Sequence, residues 1–585
     1  MARVRNNQIK LEKNRYFVLG AFRRFYVPAI LSCFWLAVAG VADSVFVGNG
    51  VGAPGLAAIS LGQPVYLFYN ILSYGFSIGG SIHYAGKMAE GRAAEGNRIF
   101  LTILKLLLTI YVVTAALGLL FQPQLMRLLG ADPADAVTRT YIRTQLLFVP
   151  IMFCQGPFYF FVNADNGPKT AALAMSVSGI SDAVFSYIFV IRMGLGVAGS
   201  VYSTVVGAAL MLCITGWHIL GKKGALRVGR WKTEWSMVGL SARTGFATSV
   251  QYLFQFVTMI TANRILIRMG GPVAVAAFDV VYNISLLSTS ITEGAVVATE
   301  PMLSSYCSER NLDNIRITLR TAFAWSAQFS SIFACLLAVF SPQLSRLFGM
   351  GHGEQLLYAS MGIRLFALSV LPAMVNLLFS GYYQSIMREG LAYMITFLRN
   401  FLVYLAALFL FSRGGLDSFW YIFTFVELLT LLIWVPISMM RGGILQLRGI
   451  DAESACSVVV DSSNQDINVV VQKLQGFCEE RGATAKQAMY IGLVVEEICC
   501  AIIERFQEHM GDIYVQITAV MENGEVTLHL RDNAYEFNPF AQDTDAIHLE
   551  KEEHLDLVGL RIVQKKAKEF YYRRYSGFNT LVIRM

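Results

Sequence analysis

Long apolar runs separated by short polar segments make up the chain before Arg441. A helix that crosses a bilayer needs about 20 mostly apolar residues, and about twelve runs reach that length. We therefore predict an all-α polytopic membrane protein of about twelve transmembrane helices. The runs are centred near Trp35, Phe68, Leu108, Met152, Val184, Leu210, Phe254, Leu286, Ser330, Val370, Leu402 and Phe425.

The pattern changes after about Gly449, where no apolar run is long enough to span a bilayer. Stretches such as DIYVQITAV and EVTLHLRDN resemble strands, and amphipathic helical patterns accompany them. These features predict a soluble α+β domain behind the membrane part. The predicted divisions are a basic N-terminus (1–24), an N-terminal six-helix lobe (25–220), a basic linker (221–238), a C-terminal six-helix lobe (239–440), a second linker (441–456) and the soluble domain (457–585).

An internal repeat favours two lobes of six helices each. The stretch GAPGLAAISLGQPVYLFYN resembles GGPVAVAAFDVVYNISLLS with a one-residue slip, and Ala58 matches Ala277 at an offset of 219 residues. The same offset aligns GKMAEGRAAEGN, from Gly86, with SYCSERNLDNIR, from Ser305. Two halves related by an axis along the membrane normal are typical of secondary transporters. Chance similarity between apolar helices is the alternative.

The composition excludes an ordinary soluble protein. Hydrophobic residues make up 55% of the chain and charged residues only 15%, whereas soluble proteins are about 25% charged. Lys and Arg concentrate at the N-terminus and in every second loop, so the positive-inside rule places both termini in the cytoplasm, below the cell's inner (plasma) membrane. We expect contacts with the lipid bilayer and a small-molecule substrate, and none with nucleic acid. The nine cysteines lack metal-ligand spacing, so no zinc site or disulfide framework is expected.

Four stretches of the membrane part resemble the multidrug and toxin extrusion (MATE) transporters. They are VADSVFVGNGVGAPGLAAISL, FYFFVNADNGPKTAALAMSV, GLGVAGSVYSTVV and GYYQSIMREGLAYMITFLRNFLV, and the resemblance covers roughly Ala21 to Met440. The resemblance implies a cation-coupled exporter of amphipathic, often cationic compounds, built as two six-helix lobes and coupled to H+ or Na+.

A carboxylate, Asp43, interrupts the first apolar run. A charge in hydrocarbon is costly, and intramembrane acids are usually functional. By the resemblance, Asp43 stands where the family has a cation-coupling acid. A membrane carboxylate can take and release a proton, or it can hold sodium together with neighbouring oxygens. The alternative is a solvated residue at the outer edge of the membrane.

The fifth apolar run contains a second acid, in GISDAVFSYIF. Here the family usually has an Asn and, one turn later, an Asp, whereas this chain has Asp182 and Ser186. Residues i and i+4 are neighbours on a helix. We therefore predict one cation site shared by Asp43 and Asp182, with Ser186 as a neutral ligand.

The C-terminal lobe carries its own acid, Glu293, in STSITEGAVVATEPM. It either lines the transport path or pairs with Arg399 or Arg364 as a structural contact. Some family members have a Glu in the seventh helix, where this chain has Gln251 and Gln255. This difference weakens the expectation of coupling through the C-terminal lobe.

The C-terminal domain resembles the GHKL-type ATP-binding fold of anti-sigma-factor kinases. The stretches are GLVVEEICCAIIERF, LHLRDNAYEFNPF and LVGLRIVQKKAKEFYYRRYSGFNTLVIRM. By the resemblance, Glu496 stands at the family's base, Asp532 at its adenine-binding Asp and Gly559 in its lid. Cys500 replaces the magnesium-ligand Asn and Ala534 replaces a glycine, and a thiol is a poor ligand for Mg²⁺. We expect a degenerate site for ATP and Mg²⁺, without kinase or ATPase activity.

The leading interpretation is an exporter with a regulatory C-terminal domain. One alternative is a membrane-tethered signalling regulator whose ATPase-like domain binds a cytoplasmic protein of a sigma-factor pathway. Another is a lipid-linked sugar flippase, which would need a cavity rich in Arg and Lys to bind pyrophosphate. An ATP-powered pump is not expected, because the sequence lacks a G-x-x-x-x-G-K-[ST] phosphate loop.

Overall fold

The apolar runs form helices, as the sequence predicts, and we assign these helices to two lobes by the predicted division at residues 221–238. The computed structural model describes residues 2–89, 92–165, 167–221, 224–227, 233–447, 452–461, 467–506, 513–522, 524–540, 562–575 and 578–585. The helices of the first lobe are α1 (Ala2–Gly50), α2 (Ala53–Ala89), α3 (Ala93–Leu120), α4 (Gln122–Leu129), α5 (Ala136–Ala164), α6 (Pro168–Ser186) and α7 (Gly196–Leu220). A π-helical turn, Tyr187–Arg192, follows α6 directly.

The second lobe contains one very long helix and several broken ones. Its helices are α8 (Ser236–Thr244), α9 (Phe246–Ser308), α10 (Leu312–Leu347), α11 (Gly353–Ala367), α12 (Val370–Ser385), α13 (Glu389–Phe397), α14 (Val403–Phe411), α15 (Leu416–Phe419) and α16 (Ile422–Met440). Gly271, at φ +64°, breaks α9 into two arms. A π-helical turn, Leu398–Leu402, joins α13 to α14.

The number of membrane crossings is compatible with the predicted twelve. Among the described residues, nine helices are long and apolar enough to cross a bilayer, or ten if the bent pair α11 and α12 is one crossing. That set treats α9 as one span and omits α1. At 1.5 Å per residue α9 would be about 95 Å long, roughly three times the hydrocarbon thickness, so its arms must cross separately. The exact number, twelve, stays a prediction.

The segment after Gly449 forms strands and helices, as predicted. A five-stranded antiparallel sheet has the order β1-β2-β3-β5-β4. The elements are β1 (Ala455–Asp461), α17 (Ile467–Glu480), α18 (Ala485–Phe506), β2 (Tyr514–Glu522), β3 (Glu525–Asp532), β4 (Glu569–Tyr575) and β5 (Phe578–Arg584). Every second residue of β3 is buried in one core with α17 and α18. The other face of β3 carries His529 and Arg531.

This other face of the sheet packs against one end of the helical bundle, which we call the sheet end. Phe578 of β5 packs edge-on against Phe17 of α1, with ring centroids 5.6 Å apart. The Arg531 Nη2 donates to Glu309, directly after α9, at 2.6 Å. Because α1 and α10 begin at the sheet end, their last residues, Gly50 and Leu347, lie at the opposite end, which we call the far end.

The two lobes touch each other at the far end. Asn49 Nδ2 donates to the Leu347 carbonyl at 2.7 Å. Gly48 packs so closely that an added Cβ would lie 2.0 Å from the Phe348 carbonyl oxygen. A side chain at Gly48 would therefore separate the lobes at this end.

Candidate functional site

Asp43 is held by a hydroxyl group from another helix of its lobe. It lies near the far end of α1 and is partly buried. Ser186, the fully buried last residue of α6, donates its hydroxyl to the Asp43 carboxylate, and Ser200 of α7 belongs to the same polar surroundings. The π-helical turn begins directly after Ser186, and such turns are frequent at functional sites. Because Ser186 hydrogen-bonds its carboxylate, Asp43 is not a freely solvated side chain.

Asp182 lies one turn before Ser186 on α6 and belongs to the same polar cluster. Thr204 Oγ1 of α7 lies 3.2 and 3.4 Å from its two carboxylate oxygens. Asp182 and Asp43 interact electrostatically. The structure thus brings together the three residues predicted for the N-terminal lobe. Sequence reasoning missed the α7 hydroxyls, although Ser200 and Thr204 stand one turn apart in GLGVAGSVYSTVV.

The cluster offers only oxygen donors, two carboxylates and several hydroxyls. Such a set suits a hard cation or a proton and suits soft metals poorly. No group of three or more His, Cys, Asp and Glu side chains that could hold a transition metal occurs in the described part of the chain. These residues fit the H+ or Na+ expected from the sequence.

A third acid, Asp279, lies next to this cluster but belongs to the other lobe. It sits on the second arm of α9 and is 2% exposed. Its Oδ2 accepts from Asn283 Nδ2 at 3.0 Å, and the same nitrogen lies 3.0 Å from Ser44 Oγ of α1. Sequence reasoning missed Asp279, although the residue stands inside the quoted repeat.

The C-terminal lobe contains a cavity of about 310 Å³, with both polar and apolar lining, to which Glu293 contributes. Arg399, in the π-helical turn, also lines it, and its Nε donates to Glu427 of α16 at 2.6 Å. Asn376 Nδ2 reaches the other Glu427 oxygen at 2.7 Å. Of the two partners considered for Glu293, Arg399 thus forms its ion pair with Glu427, and Arg364 donates to Ser341. Glu293 itself is exposed into the cavity.

The predicted nucleotide residues are only partly placed. Glu496 is exposed on α18 and Cys500 follows it one turn later. Burial, reinforced by the charges of Glu504 and Glu496, raises the pKa of the Cys500 thiol, so it stays protonated at neutral pH. The Asp532 carboxylate is buried and accepts from Asn579 Nδ2 at 2.8 Å. Gly559 lies outside the described residues.

Comparisons with known proteins agree on one family. The MatE family model matches residues 28–188 and 245–409. The chain is 23% identical over 352 residues to "Probable multidrug resistance protein YoeA" of Bacillus subtilis, covering 58% of this chain and 75% of that protein. It is 22% identical over 339 residues to "Probable multidrug resistance protein NorM" of Photorhabdus laumondii, covering 56% and 74%.

A solved structure supports the fold of the membrane part. It is an inward-facing multidrug resistance MATE family transporter of the MOP superfamily, with a TM-score of 0.63 and 19% identity. The match covers 72% of this chain and 98% of that one. At 19% identity the similarity supports the fold alone, and the chemistry of the site is argued from the residues of this chain.

Proposed function

The chain belongs to the MatE family of multidrug efflux transporters, and on this basis we propose that it exports amphipathic or cationic small molecules by antiport against protons or sodium. The sheet end faces the cytoplasm, because Lys and Arg concentrate in the segments at that end. The chain is a multi-pass protein of the plasma membrane with both termini inside the cell.

The observation that carries the coupling proposal is the cluster of Asp43, Asp182 and Ser186. Two carboxylates on different helices of one lobe share a small region with several hydroxyls. If both were ionised they would repel each other in a medium of low dielectric constant. A proton or a sodium ion relieves that repulsion, so the cluster is suited to bind and release one cation in each cycle.

The charge balance of the cavity in the other lobe favours a positively charged substrate. The charges of Arg399 and Glu427 cancel within their ion pair. Glu293, on which Arg399 also acts electrostatically, then gives the described residues that line the cavity one excess negative charge. A cationic group beside Glu293 makes the cavity neutral, whereas an anion would add to the excess negative charge. Arg399 is the one Arg or Lys among the described lining residues, and its pairing with Glu427 also argues against a pyrophosphate-binding flippase.

Transport by the full chain in lipid vesicles tests this function. A fluorescent quaternary ammonium dye is placed on the side of the vesicle membrane that the sheet end faces. A proton gradient and a sodium gradient are imposed in separate experiments. We expect dye movement driven by one of the two gradients and lost in Glu293→Gln. Dye movement that requires ATP, or none under either gradient, would contradict the proposal.

The C-terminal domain is proposed to regulate transport through its contact with the second arm of α9. Arg531 bonds Glu309 and also Ser305 at 2.6 Å, and its guanidinium lies 5.1 Å from the Tyr306 ring centroid. Arg310 adds a contact with Glu522 at 2.8 Å. The helix α9 also carries Asp279, beside the cation cluster, and Glu293, in the cavity of the C-terminal lobe. A change in docking therefore acts on the helix that lines both candidate sites.

We further propose that this domain is a degenerate GHKL-type domain without kinase or ATPase activity. The protonated Cys500 thiol supports weak magnesium binding, since Mg²⁺ prefers hard oxygen ligands. Calorimetry of the full chain with magnesium–ATP tests this proposal. Tight binding or steady hydrolysis of ATP would contradict it.

A further inference from the structure

Two polar contacts join the lobes at positions that the internal repeat relates. Ser60 Oγ of α2 donates to Asn263 Oδ1 at 3.1 Å, and Asn263 Nδ2 donates to the Ser60 carbonyl at 2.7 Å. On the other side, Asn283 Nδ2 lies 3.0 Å from Ser44 Oγ. The offset of 219 residues maps Ser44 onto Asn263 and Ser60 onto Asp279. The two contacts are therefore counterparts about the axis between the lobes.

The counterparts differ in charge. Ser60 and Asn263 are neutral and have no exposed surface. Asp279 places a carboxylate at the equivalent position, and Asn283 Nδ2 bridges it to the Ser44 hydroxyl across the lobe boundary, at 3.0 Å to each oxygen. Asp43 is the chain neighbour of Ser44. The contact between Ser60 and Asn263 is thus neutral. The contact at Ser44 places an acid of the second lobe next to the cation cluster of the first lobe.

The surroundings of Asp279 supply no compensating cation among the described residues. Asp43 faces it electrostatically from α1, Tyr141 faces both acids from α5, and Tyr282 faces it from its own helix. The hydrogen bond to its carboxylate comes from the neutral Asn283, whose side-chain nitrogen also contacts the Ser44 hydroxyl. Asn283 thus connects Asp279 to Ser44, the chain neighbour of Asp43, and among the described residues no arginine or lysine bonds either carboxylate.

This arrangement makes cation binding depend on the conformation. A ligand shifts an equilibrium only if it binds one state more tightly than the other. Asp182 shares a lobe with Asp43, so it stays beside Asp43 in every rigid-body position of the lobes. Asp279 is close only while the lobes meet at the far end. Among the described acids around the cluster, Asp279 is therefore the one that adds negative charge to the cation site in the closed state and removes it in the open state.

We propose that Asp279 is a further coupling residue, which strengthens cation binding at Asp43 while the far end is closed and so makes the cation favour that closed state. The inference rests on the proposed function. After the cation leaves toward the sheet end, Asp43 and Asp279 repel each other and favour opening at the far end, where the substrate is released.

The test is a distance measurement across the far end in the full chain. Spin labels are attached through a non-natural amino acid at the exposed positions Ala134 and Glu354, one on each lobe. Distances are recorded with and without saturating protons or sodium, whichever ion drives transport. In the wild type we expect the cation to raise the ratio of closed to open forms about ten-fold. In Asp279→Asn, which keeps the size and hydrogen bonding of the side chain, adding the cation should change the ratio of closed to open forms less than about two-fold.

Two matched variants separate charge from contact. Ser60→Ala weakens the neutral counterpart and Ser44→Ala removes the hydroxyl from the charged contact. Both are expected to weaken closure equally with and without the cation, so the ion response survives. If Asp279→Asn does not give monodisperse protein, Asp279→Ser replaces it, because Ser60 shows that serine fits the equivalent position.

The outcomes distinguish this inference from the function on which it rests. A wild type without gradient-driven transport and without a cation-induced shift refutes both. A wild type that transports and shifts, beside an Asp279→Asn that shifts just as strongly, refutes the role of Asp279 alone. Loss of the ion response in Ser60→Ala as well would show that contact rather than charge matters, and would also overturn the proposal.

Discussion

Substituting Arg531 with glutamine should loosen the contact between the sheet and the membrane lobe. The Arg531 and Glu309 side chains are 12% and 2% exposed and their nearest atoms are 2.6 Å apart. Removing one partner of a buried ion pair costs about 3–5 kcal/mol, because the other charge stays buried without compensation. We therefore expect docking to weaken by about 3 kcal/mol, a factor of roughly a hundred in the docked-to-undocked ratio.

Hydrogen–deuterium exchange on the full chain measures this effect. Amides of residues 300–309 at the end of α9 should exchange faster in Arg531→Gln, while those of α18 stay protected. A double-mutant cycle with Glu309→Gln should recover part of the loss, because the unpaired charge is then gone. Arg584→Gln breaks an exposed pair with Glu569 in the same sheet and should change nothing measurable. Unchanged exchange at residues 300–309 in a folded Arg531→Gln would refute the account of docking.

Three further predictions concern the C-terminal domain. Burial lowers the pKa of His529 from 6.5, and Glu309 opposes this effect in part. The docked sheet therefore favours neutral His529, and protonation weakens docking. Amide exchange at the end of α9 should become faster in the wild type as the pH falls below about 6, and less so in His529→Gln. Cys500→Asn combined with Ala534→Gly should strengthen magnesium–ATP binding by about ten-fold or more in calorimetry; unchanged binding would refute the assignment of these positions. A chain that ends at Leu447 should insert and transport without the sheet domain, and inserted but inactive protein would contradict this prediction. The end is placed after Leu447 because Tyr382 and Tyr383 donate to the carbonyls of Leu445 and Ile444, contacts that a cut at Met440 would remove.

The sequence predicted those parts of the site that depend on local spacing. Asp182 and Ser186 share a helix face because they are one turn apart, and the first apolar run carries Asp43. The structure places all three together. The change of pattern after Gly449 likewise located the sheet domain, because alternation with a period of two is a property of short segments.

Contacts between helices that are distant in sequence could not be predicted from local spacing. The partner of Arg399 is Glu427, and their meeting depends on how α16 packs against the π-helical turn. Asp279 stands in a stretch whose apolar neighbours suggest an ordinary buried helix. Its significance appears only once the repeat offset is combined with the contacts of Ser44 and Ser60. The docking of Arg531 on Glu309 joins residues more than two hundred positions apart, beyond any local pattern.

The central claim is that Asp43 binds the cation that drives export. The most direct measurement is gradient-driven dye transport by Asp43→Asn in vesicles, beside wild type and Asp182→Asn, with dye binding measured separately. We predict that Asp43→Asn loses gradient-driven transport and keeps dye binding, since only the titratable charge is removed. Asp182→Asn should be milder if the ion is a proton and severe if both carboxylates must hold sodium. Full gradient-driven transport by Asp43→Asn would contradict the claim and would move the coupling site to Glu293.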